Sequence, residues 1–114
     1  KLAHLYQSKL HKQTFVLALP VCKVDNLQHC LQYLRDSGFH VIAATEHATV
    51  NYTDVDMTTP LAIVMGSEDK GIYEGNLRIC SHQVRIPMSG VIESLNVSVA
   101  AGVMLYEVIR QRGL

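Results

Sequence analysis

An excess of charge of either sign is missing from this sequence: ten lysines and arginines stand against ten aspartates and glutamates in 114 residues. A surface without a basic surplus cannot act as a general polyanion trap, so any contact with nucleic acid must be built locally. Long apolar runs are missing too. No window approaches the roughly 18 uninterrupted apolar residues of a membrane span. The start of the chain, with Lys1, His4, Gln7 and Lys9, lacks the apolar core of a secretory signal. Together these absences predict a soluble, cytoplasmic protein with no membrane contact. Cys22, Cys30 and Cys80 are an odd set without CxxC spacing, and no HxxxH pair accompanies them. That pattern suits reduced thiols and predicts no metal site. Neither GxGxxG nor GxxxxGKS occurs, so a dinucleotide or P-loop site has no support.

What is present is apolar material for one core. At 48% hydrophobic composition, the chain reads as a single domain over residues 1–114. Asp25 offers an N-cap, and Leu27, Cys30, Leu31 and Leu34 recur at helical spacing until Gly38. Phe39 to Ala44 reads as a buried strand, and the polar segment Thr45 to Thr59 as a loop. Leu61 to Met65 predicts the next strand, Ile72 to Cys80 a helix, His82 to Ile86 a short last strand and Ser94 to Arg110 a final helix. Thr14 to Leu19 has the composition of a further short strand. Strands alternating with helices predict an α/β fold, a mostly parallel sheet with helices on both faces. The final helix gathers Leu95, Val99, Val103, Tyr106 and Ile109 on one face, suited to packing on a partner subunit.

Two segments carry the chemistry. The apolar run Pro60 to Met65 ends abruptly in the glycine-bounded loop Gly66 to Gly71. Further on, the bend Ile86-Pro87-Met88-Ser89-Gly90 leads to Ser94, Asn96 and Ser98 at the mouth of an otherwise apolar helix. Half-buried hydroxyls and amides need partners or lose roughly 1 to 3 kcal/mol of solvation, so their clustering predicts a ligand or a tightly organised loop. Ligands of open α/β sheets settle beyond the carboxyl ends of the strands, which makes the two segments candidate walls of one pocket.

The segments Leu61 to Ile72, LAIVMGSEDKGI, and Ile86 to Glu107, IPMSGVIESLNVSVAAGVMLYE, resemble in order and spacing the second and third motifs of the SpoU, TrmH-like branch of the SPOUT RNA 2′-O-ribose methyltransferases. A weaker similarity runs through Leu19 to Thr45. The resemblance implies a C-terminal trefoil knot, S-adenosylmethionine as cofactor, tRNA or rRNA rather than DNA as partner, and a homodimer whose subunits complete each other's sites. It places Glu68 as the acid that orients loop, arginine or substrate, and Ser94 and Asn96 beside the methyl-transfer site. It assigns Gly66, Ile86 and Leu95 to main-chain contacts with the cofactor, with Ala44, Thr45 and Met88 as neighbours. The family's first motif, an asparagine-glycine-arginine element, has no counterpart in Lys1 to Thr14, so the chain is expected to begin after it.

Each assignment has a plain competitor. Glu68 fits a solvated loop acid, Ser94 a helix cap, and Ile86, Met88 and Leu95 ordinary packing. Lys70 reads as a surface residue within reach of phosphate. His40, His47 and His82 receive no chemistry, having no carboxylate or thiol partner by spacing. Arg78, Arg85, Arg110 and Arg112 fit solvated faces, and Tyr106 fits helix packing. The alternative function is a non-catalytic knotted domain that binds RNA or acts as a scaffold. Which RNA and which nucleotide are not written in these motifs.

Overall fold

A computed structural model describes residues 4–5, 20–21, 24–67, 70–88 and 95–113. In chain order the elements are β1 (His4–Leu5), β2 (Pro20–Val21), α1 (Leu27–Asp36), β3 (His40–Ala44), β4 (Val50–Asn51), a 3₁₀ turn (Tyr52–Asp54), β5 (Leu61–Val64), α2 (Glu74–Ile79), β6 (His82–Arg85) and α3 (Val97–Arg112). β1 and β2 form a separate antiparallel pair. The main sheet is parallel throughout, in the order β4-β6-β3-β5. The expected α/β architecture, with helices on both faces, is present. The segment Thr14 to Leu19, open between a short strand and the helix that the resemblance implies, lies outside the described residues, as does the stretch 89–94 on whose path the expected knot turns.

The central strand β3 explains the layering. Its consecutive Val41, Ile42 and Ala43 are all fully buried, which a strand tolerates only when both sheet faces are covered. Because side chains alternate along a strand, Val41 and Ala43 enter a core with Leu31, Val64 and Ile79, under α1 and α2. Ile42 points the other way, into a core with Val55, Met57, Val84 and Met104, under α3 and the 55–57 segment. Arg35 pins α1 to the end of α2 by donating from Nη1 to the Ile79 carbonyl at 2.6 Å.

Several boundaries differ from expectation for local reasons. The cap of α1 is Asn26 rather than Asp25, since its Oδ1 accepts from the His29 N–H at 3.0 Å, the reach an N-cap needs. Gly38, with φ +95°, stops that helix as expected. The supposed loop Thr45 to Thr59 contains β4 and the 3₁₀ turn, and it sends Val55 and Met57 into the core. Those apolar residues are separated by Asp56 in a polar stretch, so their alternation was too short to register as structure. α3 begins at Val97, not Ser94, because Asn96 caps it, its Oδ1 accepting from the Ser98 N–H at 2.8 Å. The helix runs on to Arg112 and closes at Gly113, φ +70°.

The last turns of α3 are bonded to the 55–59 segment. Gln111 accepts from the Met57 N–H at 2.7 Å and donates to the Val55 carbonyl at 2.9 Å. Arg112 donates to the carbonyls of Met57 and Thr59 at 3.0 and 2.8 Å. Beneath them Glu107, only 5% exposed, accepts from Arg110 Nε and Nη2 and from Gln111 Nε2, all at 2.8 Å. The Arg110 hydrogen bond holds the Glu107 carboxyl below its ordinary 4.5, against the opposing effect of burial and with help from Gln111.

A depressed carboxyl contributes stability that is complete above its unfolded value and is lost as pH falls through the folded one. Replacing Glu107 with Gln should therefore lower unfolding stability at pH 7 by about 2 kcal/mol, the range of hydrogen bonds to a charged group. In urea denaturation the gap between wild type and variant should close as pH falls below 4.5; a gap independent of pH would refute the assigned role of the charge.

Candidate functional site

Beyond the carboxyl ends of β3, β5 and β6 the chain turns away three times, and the turns enclose a cavity of about 730 Å³. The sheet order sets this up: β3 lies between β6 and β5, so the residues leaving β3 form the floor and the other two exits form facing walls. The floor is held in place by the Thr45 N–H, which donates to the Val84 carbonyl at 2.9 Å and prolongs the β3–β6 ladder. The Thr45 hydroxyl accepts from the His47 N–H at 3.3 Å.

The first wall is the loop after β5. Ser67 and Gly71 exchange backbone hydrogen bonds at 3.2 and 3.0 Å, and Ser67 Oγ accepts from the Lys70 N–H at 3.2 Å. Gly71 closes the turn at φ +70°, where a side chain would be strained. Gly66 is glycine for a different reason: a Cβ there would stand 2.7 Å from both the Gly71 Cα and the Ile72 nitrogen. Backbone therefore meets backbone across the loop, with no room for a side chain between. The second wall comes from Ile86 and Met88 after β6 and from Leu95, Asn96, Val97 and Ala100 at the start of α3.

All six residues expected around a cofactor, Ala44, Thr45, Gly66, Ile86, Met88 and Leu95, line this one cavity, and Asn96 joins them. Of the three residues expected in catalysis, Asn96 is thus placed, at the wall and as the cap of α3. Glu68 and Ser94 lie outside the described residues. The wall also holds Glu46, His47, Lys70 and Glu74, which sequence reasoning either passed over or gave no chemistry. Their signal was adjacency alone: each comes within a few residues of a strand end or of the glycine-bounded loop. His47 does have a carboxylate nearby, Glu46 at 3.9 Å, with both side chains exposed. Glu74 faces Arg78 at 3.9 Å.

Among the described residues no three histidine, cysteine or acidic side chains stand close enough to hold a metal ion, and no helix is long and apolar enough to cross a membrane. Cys30 and Cys80 are free thiols. Burial pushes the Cys80 thiol above its usual range, partly offset by the charge of Arg35, and its Sγ–H donates to the Asn76 carbonyl at 3.2 Å. Cys22 lies outside the described residues.

Comparison with known proteins gives concordant matches. The model of the SpoU rRNA Methylase family matches residues 4–106. A 23S rRNA (guanosine-2′-O-)-methyltransferase RlmB of a Burkholderia species is 40% identical over 94 residues, 82% of this chain and 38% of that protein. The crystal structure of the A. aeolicus TrmH/SpoU tRNA modifying enzyme superposes with a TM-score of 0.75 at 40% identity, over 80% of this chain and 47% of that one. An AdoMet-bound rRNA methyltransferase from Sinorhizobium meliloti superposes at 0.74 with 31% identity, over 82% of this chain and 36% of that one. The chain spans less than half the length of each of these relatives.

The close approach at Gly66 makes a direct forecast. Gly66→Ala should force the 66–71 loop apart and lower stability by about 1 to 3 kcal/mol, the usual cost of overpacking. A urea unfolding midpoint equal to that of wild type would show that the loop has room to spare.

Proposed function

The chain belongs to the SpoU rRNA methylase family, and from that premise we propose that it is an S-adenosylmethionine-dependent methyltransferase acting on a ribose 2′-hydroxyl of tRNA or rRNA. The observation that carries this reading is the meeting of both matched motif segments, with the end of β3, around one cavity. Its volume of about 730 Å³ falls within the roughly 300 to 1,000 Å³ of small-molecule sites. Its lining also suits an adenosyl ligand, with half-buried main chain at Gly66 and apolar side chains at Ile86, Met88 and Leu95. In this reading residues 1–114 form a single SpoU-type domain of a cytoplasmic enzyme.

When bound, S-adenosylmethionine supplies an electrophilic methyl on a sulfonium and needs little activation. The protein's contribution is alignment, which converts a bimolecular encounter into a positioned one. Gly66, Ile86 and Leu95 hold the cofactor through main chain, with Ala44, Thr45 and Met88 closing around it. Asn96 and Ser94 hold the substrate ribose so that its 2′-oxygen faces the methyl in line, and Glu68 orients the loop. The 2′-hydroxyl must also lose its proton, and a basic or cationic neighbour speeds that loss. The cavity wall carries Lys70 and His47 as groups of this kind.

A second copy of the chain completes the assembly, seated on the outer face of α3. Val99 and Tyr106 there are 52% and 73% exposed, and with Tyr52, Gly102 and Val103 they border a shallow groove. A contiguous apolar face of this kind offers a surface on which a second copy could bury its own. Light scattering should give the mass of a dimer, and Tyr106→Glu, at a position too exposed to matter to the fold, should give the monomer. A monomeric wild type would rule the dimer out.

Calorimetric titration with S-adenosylmethionine and S-adenosylhomocysteine should show binding, and incubation with total RNA and labelled cofactor should yield a new 2′-O-methyl nucleotide. Absence of binding to both compounds would sink the enzyme reading. Cofactor binding without methylation of any RNA would favour the non-catalytic alternative.

A further inference from the structure

Resting on the cofactor assignment, the structure assigns a role to Glu46 that neither matched motif contains: we propose that its carboxylate accepts both hydroxyls of the cofactor's ribose. A cis-diol offers two O–H donors side by side, and a carboxylate offers two acceptor oxygens at matching spacing.

The hydroxyl and amide oxygens of the lining side chains each already accept a hydrogen bond, which turns attention to the acids. Thr45 Oγ1 accepts from the His47 N–H, Ser67 Oγ from the Lys70 N–H, and Asn96 Oδ1 from the Ser98 N–H. Each of those oxygens is committed to shaping its own turn. Two acidic side chains remain among the described lining residues, Glu46 and Glu74. Glu74 sits in the first turn of α2 beside Arg78, where its charge already complements the helix end. Glu46 belongs to no helix. His47 approaches it only to 3.9 Å and is itself 86% exposed, while the Glu46 side chain is 57% exposed, so it has room to turn inward.

Placement points the same way. Glu46 comes just after β3, the strand between the two that supply the facing walls. A ligand reaching from one wall to the other lays its middle over the end of β3, and the middle of an adenosyl thioether or sulfonium is its ribose. Open α/β sheets elsewhere use an acid near a strand end for ribose hydroxyls, for the same geometric reason.

The test is a binding cycle that needs no turnover. S-adenosylhomocysteine and its 2′,3′-dideoxy analogue are titrated into wild type and Glu46→Gln. Loss of charge-assisted hydrogen bonds should weaken S-adenosylhomocysteine binding to the variant by about tenfold, while wild type and variant should bind the dideoxy analogue alike. Unchanged affinity of Glu46→Gln for S-adenosylhomocysteine overturns the assignment. So does an equal loss with both compounds, which would place the carboxylate on another part of the ligand. If wild type binds neither compound, the cofactor reading itself has failed, an outcome separate from failure at Glu46 alone. The exposure of Glu46 keeps the fold out of the comparison, and equal urea midpoints for the two proteins confirm that.

Discussion

The parallel pairing of β3 on both edges is the constraint that organises this fold. With β5 on one side and β6 on the other, running the same way, all of these strands deliver their carboxyl ends to one side of the sheet. Every connection must then leave from that side and cross back over a face, which is why helices cover both. Val41, Ile42 and Ala43 meet that requirement by being apolar in succession. A polar residue at any of them would be buried with no strand edge free to satisfy it. The cavity is the space left where the three exits diverge.

α3 serves this arrangement from both of its ends. Its first turn, capped by Asn96, forms part of the cavity wall. Its last turn is fixed to residues 55–59 by Gln111 and Arg112. Met104, fully buried between these ends, seats the helix on Ile42 and Val84. A helix is stiff over this length, so the angle at which Asn96 meets the cavity is set partly by hydrogen bonds at its far end. Glu107 orients Gln111 and Arg110 through short contacts and so belongs to the anchoring of that far end.

The sheet was legible in the sequence because β3, β5 and β6 are apolar runs with clear stops, and the parallel order could be inferred from alternation with helices. The cavity wall was legible at glycine and proline positions, where the backbone is constrained, and at the motif residues. What sequence could not supply falls into two kinds. Val55 and Met57 are core residues in a polar neighbourhood, and their burial depends on Gln111 and Arg112, more than fifty residues away, satisfying the local backbone. Glu46 and His47 look like solvated charges in any one-dimensional reading. Only the sheet order places them at the centre of the wall. The N-caps failed by one or two residues because Asp25 and Asn26, or Ser94 and Asn96, are equally good oxygens. Which one caps is decided by where the helix can start once its inner face is packed.

Electrical neutrality takes on a different meaning once the site is located. A protein with balanced charge gains little from long-range attraction to RNA, so recognition falls to the few groups around the cavity mouth and to whatever further surface a partner brings. Lys70 is exposed on one wall, and Arg85 is exposed just before the bend that makes the other. Between them the wall carries acids, Glu46 and Glu74, which repel a phosphate chain. Under the proposed function, that division would favour a mode of entry in which phosphates track the basic edges while a single uncharged sugar descends toward Asn96. In the proposed dimer the exposed Val99 and Tyr106 lie within three turns of Asn96 on the same helix, so the partner's surface would stand beside the same opening.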